Sequence, residues 1–258
     1  MIHNLYKHRG ETPLERIHRF RAEKPKFKDQ KFTYLGRLDP MAEGVLLVAS
    51  GEDVKKKDEF LGLDKEYEFT ILFGFATDTY DVLGKIVRVE KLQNLNENEV
   101  RKVAGIYEGE REQKYPPYSS KIQKWNSPED ANQGEIDGVE IPSKNINIYK
   151  MEFFGLQTLS PKELFGRLLM DISKVKGDFR QNEILITWKK VVEGIANKDS
   201  KNNTETKIFL GNFKASVSTG TYIRGIVNDL GNTLGMGACA LSIKRTNLGD
   251  CLIKDSIK

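Results

Sequence analysis

Only two cysteines and three histidines occur in the 258 residues, and that scarcity removes several chemistries at once. Cys239 and Cys251 stand among apolar neighbours with no C-x-x-C spacing and no histidine partner, so they read as buried thiols of a reducing compartment, not as a disulfide or zinc site. His3, His8 and His18 show neither triad nor metal-ligand spacing. No apolar run approaches the ~20 residues of a membrane span, and the N-terminus lacks the apolar core of a signal peptide. Internal repeats and low-complexity tracts are also missing. These absences point to a soluble, cytoplasmic chain, long enough to bury a core without a covalent or metal staple.

What is present is an uneven distribution of charge. The chain carries +4 overall, yet residues 1–37 alone hold ten Lys or Arg against four acids, a local +6 that leaves the remainder at −2. A basic field of this kind suits a polyanionic ligand, and equally suits a solvated lysine-rich face.

Thr12, Pro13 and Glu15 form a capping box with proline in the first turn and predict a helix to about Glu23. The lysine-rich stretch from Lys24 to Lys31 follows as a basic loop. Apolar residues at Tyr67, Phe69, Ile71, Phe73 and Phe75 alternate as in a strand, and Thr77 to Gly84 reads as the turn after it. A helix over Asn96 to Tyr107 is capped by Asn96. The pair Pro116-Pro117 keeps Lys114 to Ser120 out of helix and central strand. Ser160, Pro161 and Glu163 repeat the capping box before an amphipathic helix whose apolar face runs from Leu164 to Val175. The polar stretch Ala196 to Lys207 reads as a mobile surface loop. The pattern as a whole is α+β with a mixed, mostly antiparallel sheet.

The segment most suggestive of chemistry is G-R-L-D-P-M-A-E-G-V-L-L-V from Gly36. Asp39 sits there between a glycine turn and an apolar run, followed by proline and by no further charge until Glu43. Such a carboxylate is presented by backbone geometry and suits a nucleophile.

This string resembles the active-site motif of pseudouridine synthases, fitting both the TruB pattern G-x-L-D-P-x-A-x-G-V-L and the G-R-L-D-x-x-x-x-G-L-L-L of the RsuA and RluA families. Four later segments resemble the TruB family in its own order. They are Lys65 to Gly74 with the Thr77-Asp78-Thr79 turn; Pro116 to Lys121; Ile141 to Phe153; and Ser218-Thr219-Gly220-Thr221-Tyr222-Ile223-Arg224 with Asp229-Leu230-Gly231. The resemblance implies a pseudouridine synthase fold, with helices flanking the sheet, acting on RNA without metal or other cofactor and as a monomer. tRNA is the expected partner, through its T-loop uridine.

By the same resemblance Asp39 is the essential carboxylate, attacking C1′ or removing a C2′ proton. Arg224 is its ion partner, Tyr67 the platform for the flipped uracil and Tyr222 the proton acceptor from C5. Tyr34, Lys55, Ile243, Lys7 and Arg37 fall to the substrate-binding surface. Taken alone, Tyr67 and Ile243 are ordinary core residues and Lys55 a solvated charge.

Two departures stand out. Tyr34 replaces a family histidine, and an expected addition spans about 155–212 between strands that the family joins briefly. The expected organisation is one catalytic domain over 1–258 with no C-terminal PUA domain. An rRNA substrate, or a non-catalytic role in binding structured RNA, are the alternative readings.

Overall fold

The computed structural model describes residues 1–90, 95–119 and 141–258. In chain order its elements are β1 (Ile2–Lys7), α1 (Pro13–Glu23), β2 (Phe32–Tyr34), β3 (Ala42–Ser50), α2 (Lys57–Leu61), β4 (Lys65–Phe73), β5 (Phe75–Thr77), β6 (Ile86–Val89), α3 (Glu97–Ile106) and β7 (Gly109–Lys114). After these come β8 (Ser143–Leu159), α4 (Pro161–Ile172), α5 (Gln181–Asn202), β9 (Ile208–Val217), α6 (Ile223–Thr233), β10 (Ala238–Leu248) and β11 (Cys251–Leu252).

Nine strands form one sheet in the order β1-β3-β10-β4-β9-β8-β7, with β2 added to β3 and β11 to β10. Among the described strands β3 and β10 pair in parallel and the other pairings are antiparallel, so the fold is α+β with a mixed, mostly antiparallel sheet. The short pair β5–β6 stands apart as a separate ribbon.

Alternation along the strands gives each face its own cover. On one face Leu46, Phe69, Ile71 and Phe213 pack with Ile17 and Phe20 of α1, Val100 and Val103 of α3, and Ile226 and Leu230 of α6. On the other, Leu72, Leu210, Cys239 and Leu241 meet Leu164 and Leu168 of α4 and Ile184 and Trp188 of α5. Beside that second cluster runs a row of alternating charge, Glu43–Lys244–Glu68–Lys214–Glu152, each directly opposite the next across five neighbouring strands. Opposite charges at facing positions stabilise a sheet, and here they leave its open stripe polar.

Both capping boxes form as the sequence predicts, with Thr12 accepting from Glu15 N and Ser160 from Glu163 N. The strand expected over 67–75 begins earlier, at Lys65, and breaks at Gly74, whose φ is 87°. The expected loop over Ala196 to Lys207 is overturned over its first part, where α5 continues to Asn202 and closes on Asn203 in the left-handed conformation, and only the residues from there to Lys207 are irregular. Ile184, Trp188 and Val192 anchor α5, so its polar last turns need only solvent and a cap. The carboxylate of Asp199 supplies further closure by accepting from Thr204 Oγ1 and Thr206 N.

Strands β8 and β9 stay paired to Leu159↔Ile208, so residues 160–207 form the connection between them. Cys239 is fully buried as expected, whereas Cys251 is only half-buried, because the short β11 lies at the sheet margin. Among the described residues no helix is long and apolar enough to cross a membrane. Ser120 and Lys121 of the double-proline motif lie outside the described residues.

Candidate active site

Asp39 occupies the turn that feeds β3, with its carbonyl accepting from Ala42 N at 3.0 Å. Beneath this turn lies Lys7, with 0% of its surface exposed. Its Nζ donates to the carbonyls of His8 (3.1 Å), Pro40 (3.3 Å) and Ala42 (2.5 Å). Burial pulls the ammonium down to about 7, against smaller opposing pulls from Glu11 and Asp39.

Arg245 of β10, 1% exposed, does for the approach to the turn what Lys7 does for its exit. Its Nε donates to Val45 O (2.8 Å), and its Nη groups reach the Gly36 and Arg37 carbonyls at 3.3 and 3.4 Å. The two strands come this close because Gly44 has no side chain: with φ at 106°, a Cβ there would overlap the Arg245 carbonyl.

The wall beside the turn comes from the start of α6, whose Ile223, Ile226, Val227 and Leu230 bury one face and aim Arg224 inward. Arg224 is 4% exposed. Its Nε donates to Asp39 Oδ2 at 2.9 Å, its Nη1 to the Thr79 carbonyl at 2.7 Å, and its Nη2 to the Tyr118 carbonyl at 3.5 Å.

A second acid, Asp81, lies 3.8 Å from Arg224 Nε. Full burial pushes its carboxyl up to about 6, the Arg224 charge offsets part of this, and the Asp39 charge adds to it. Burial alone would lower Arg224, but Asp39 and Asp81 outweigh it and hold the guanidinium above its ordinary value. The turn carrying Asp81 is tightly built: Tyr80 has φ at 63°, and Thr77 and Thr79 both donate to the Asp81 carbonyl.

Tyr222 sits at the N-cap of α6 and is clamped through its backbone. The Gln113 amide accepts from its N–H at 2.8 Å and donates to its carbonyl at 2.9 Å. Gly225 leaves room for this clamp, since a Cβ there would stand 2.8 Å from Gln113 Nε2. The Tyr222 phenol is raised first by burial and then by the charge of Asp39, and its ring meets Tyr115 edge-on at 5.6 Å.

The structure therefore brings Asp39, Arg224 and Tyr222 together. Tyr67 and Ile243 line the adjoining core with Leu38 and Ile223, and Tyr67 faces Arg245 across β4 and β10. Arg37 is exposed beside the turn, and Tyr34 is half-buried with the Lys57 ammonium 5.8 Å from its ring centre. Two of the residues expected on the binding surface differ in their exposure. Lys7 is a buried brace, because three carbonyls converge on its ammonium. Lys55 sits on the short Gly51–Lys56 turn, exposed and ion-paired with Glu52 at 2.7 Å.

Arg16 is likewise buried and holds the carbonyls of Tyr6 and Ile257, so the basic N-terminal field is smaller than its sequence count. Asp81, Arg245 and Gln113 were not anticipated. Asp81 alone had a signal, an acid inside a turn of threonines, whereas the other two depend on pairings distant in the chain.

Chemically, the arrangement offers a carboxylate whose side chain is 31% exposed, fixed by an arginine sealed behind it. A phenol stands beside this pair and apolar walls adjoin it. Among the described residues no group of three or more His, Cys, Asp or Glu gathers as a metal site.

The model of the TruB family pseudouridylate synthase N-terminal domain matches residues 24–177. The tRNA pseudouridine synthase B of Clostridium tetani is 30% identical over 255 residues, covering 98% of this chain and 69% of that protein. Its counterpart in Aquifex aeolicus is 27% identical over 252 residues, covering 97% of this chain and 69% of that one. A crystal structure of a Cbf5-Nop10-Gar1 complex superposes with a TM-score of 0.56 at 18% identity, over 97% of this chain and 50% of that chain, a likeness of fold.

Proposed function

The chain belongs to the TruB family of pseudouridylate synthases, and from that premise we propose that it converts uridine 55 in the T-loop of tRNA to pseudouridine, with Asp39 as the essential carboxylate. The reaction breaks the bond from N1 to C1′, turns the ring and joins C5 to C1′, after which C5 gives up its proton and N1 carries one. It is an isomerisation, with no net redox change. A uridine inside folded RNA must leave its stack to reach the turn, and an aromatic face replaces the stacking it loses. Tyr67 takes that part, Ile243 keeps water from the ring, and Tyr222 accepts the C5 proton.

The observation that carries this reading is the asymmetry of the ion pair: the carboxylate end is open to a substrate while the arginine end is closed. An arginine sealed from water holds an acid in one orientation without reorganising when the substrate arrives. Of the basic N-terminal residues, Lys24, Lys26, Lys28, Lys31 and Arg37 are exposed and can meet phosphates, which predicts binding that weakens steeply with salt.

The test is tritium release from [5-³H]uridine-labelled tRNA with no added metal or cofactor. Release by the natural protein, lowered at least ~10³-fold in Asp39→Ala with RNA affinity retained, is the expected result. Undiminished release in that variant would sink the role of Asp39. Release from rRNA but not tRNA would replace the substrate and keep the chemistry.

A further inference from the structure

We propose that the α4–α5 hairpin, residues 160–207, is a positioning device for the Asp39–Arg224 pair, acting chiefly through Arg180; the proposal rests on that pair being the working one. The hairpin touches the supports of both partners.

At its α4 end, Asp171 accepts from Arg9 Nη1 at 2.6 Å, and Lys176 N donates to the Gly10 carbonyl at 2.9 Å. Gly10 takes φ 91°, and a Cβ on it would overlap the Lys174 carbonyl, so the loop after α4 lies directly on the backbone there. Gly10 N in turn donates to the carbonyl of Pro40, next to Asp39, at 2.8 Å.

At the α5 end, Arg180 itself is in the left-handed conformation, with φ at 61°. Its Nη2 lies 3.4 Å from Asp78 Oδ2, and its guanidinium carbon 5.2 Å from the centre of the Tyr118 ring. The Tyr118 hydroxyl interacts with both Asp78 and Arg180. These contacts coincide with the anchors of Arg224, whose Nη groups are held by the carbonyl of Tyr118 and by that of Thr79, the neighbour of Asp78. Two turns along α5, the fully buried Trp188 donates Nε1 to the Val82 carbonyl at 3.2 Å and lies 5.4 Å from the Phe75 ring. That fixes the far side of the turn bearing Asp81.

A phosphate-gripping role is less well supported. Residues 160–207 carry ten basic and seven acidic side chains, a mixed surface and not the one-signed field that phosphate binding favours. Residues that hold a reacting group in place through a second layer commonly change rate by 10–100-fold without touching the substrate, roughly the range expected here.

The test compares the full-length protein with Arg180→Ala, Arg180→Lys and Trp188→Phe, reading single-turnover isomerisation at saturating protein, RNA dissociation constant, and the Nε–H NMR signal of Arg224 assigned with Arg224→Lys. Arg180→Ala is expected to slow the chemical step roughly tenfold, leave RNA affinity within about twofold, and shift or broaden the Arg224 signal. Arg180→Lys should recover part of the rate. Trp188→Phe, which removes one hydrogen bond and keeps a ring, should move the same readouts less and serves if Arg180→Ala fails to fold. An unchanged rate and an unchanged Arg224 signal in Arg180→Ala and Trp188→Phe would overturn the proposal, as would lost RNA affinity with the chemical rate intact. Should the natural protein isomerise no RNA, the functional reading falls and the Arg224 signal still decides for or against the clamp.

Discussion

The floor and the wall of the Asp39 turn are both built on buried cations, but the partners of those cations differ. Beneath the turn, Lys7 and Arg245 give their hydrogen bonds to backbone carbonyls. Beside it, Arg224 faces two carboxylates as well as two carbonyls. Carbonyl partners fix the path of the chain without neutralising a charge, so the floor sets where Asp39 is. Carboxylate partners neutralise the guanidinium, so the wall sets which way Asp39 points and what field it feels. The energetic trace of the difference is opposite in sign: burial brings Lys7 down to about 7, while two acids keep Arg224 above its usual value.

The strongest way to break this division is at the wall. Arg224→Met leaves Asp39 and Asp81 facing each other with no cation between them, and turnover should fall roughly 10³-fold at little change in RNA affinity, read as kcat against KM. An equal loss in KM alone would make Arg224 a binding residue.

Asp81→Asn tests the second acid, and about a tenfold loss at pH 8 is expected. Because the Asp81 carboxyl titrates at about 6, the natural enzyme should lose rate as pH drops through that value, and the variant should lack this limb. Arg245→Met loosens the floor. Leaving the carbonyls of Gly36, Arg37 and Val45 unpaired should destabilise the fold by about 2–3 kcal/mol in urea and slow turnover severalfold through lost position.

Lys7→Met is read through pH. The unfolded chain holds the lysine proton up to about 10, the folded chain only to about 7, so between these limits unfolding takes up a proton. Stability of the natural protein therefore rises with pH across that window, by roughly 2–4 kcal/mol, and the penalty is fully present below it. Lys7→Met should flatten the rise in urea titrations, whereas an identical slope would mean that the lysine is not the titrating group. The smallest effect is expected at Lys55→Ala: an exposed pair contributes little, and rate and RNA affinity should stay within about twofold.

What was legible in the sequence was mostly local. The capping boxes at Thr12 and Ser160 announced their helices because the partners lie three residues apart, and the alternation from Tyr67 announced β4 for the same reason. The course of α5 was not legible, since its last turns are polar and its anchor is a single buried stripe centred on Trp188. In the site, the motif order carried Asp39, Tyr222 and Arg224, and the structure brings these three together. It did not carry the inward turn of Lys7, which depends on carbonyls presented by a loop 33 and 35 residues away. Nor did it carry Gln113, whose two bonds reach 109 residues along the chain.

The position of β10 also orders the protein's assembly in time. Among the described residues it is the last long strand, yet it lies between β3 and β4, and Arg245 on it donates to a carbonyl made 200 residues earlier. During synthesis the unit β1–β3 must wait, with one edge open, until Leu248 has emerged, and such distant pairing is slow to form. The Asp39 turn acquires its floor only when β10 inserts. A chain that has not yet placed β10 therefore holds the aspartate without the floor of its turn.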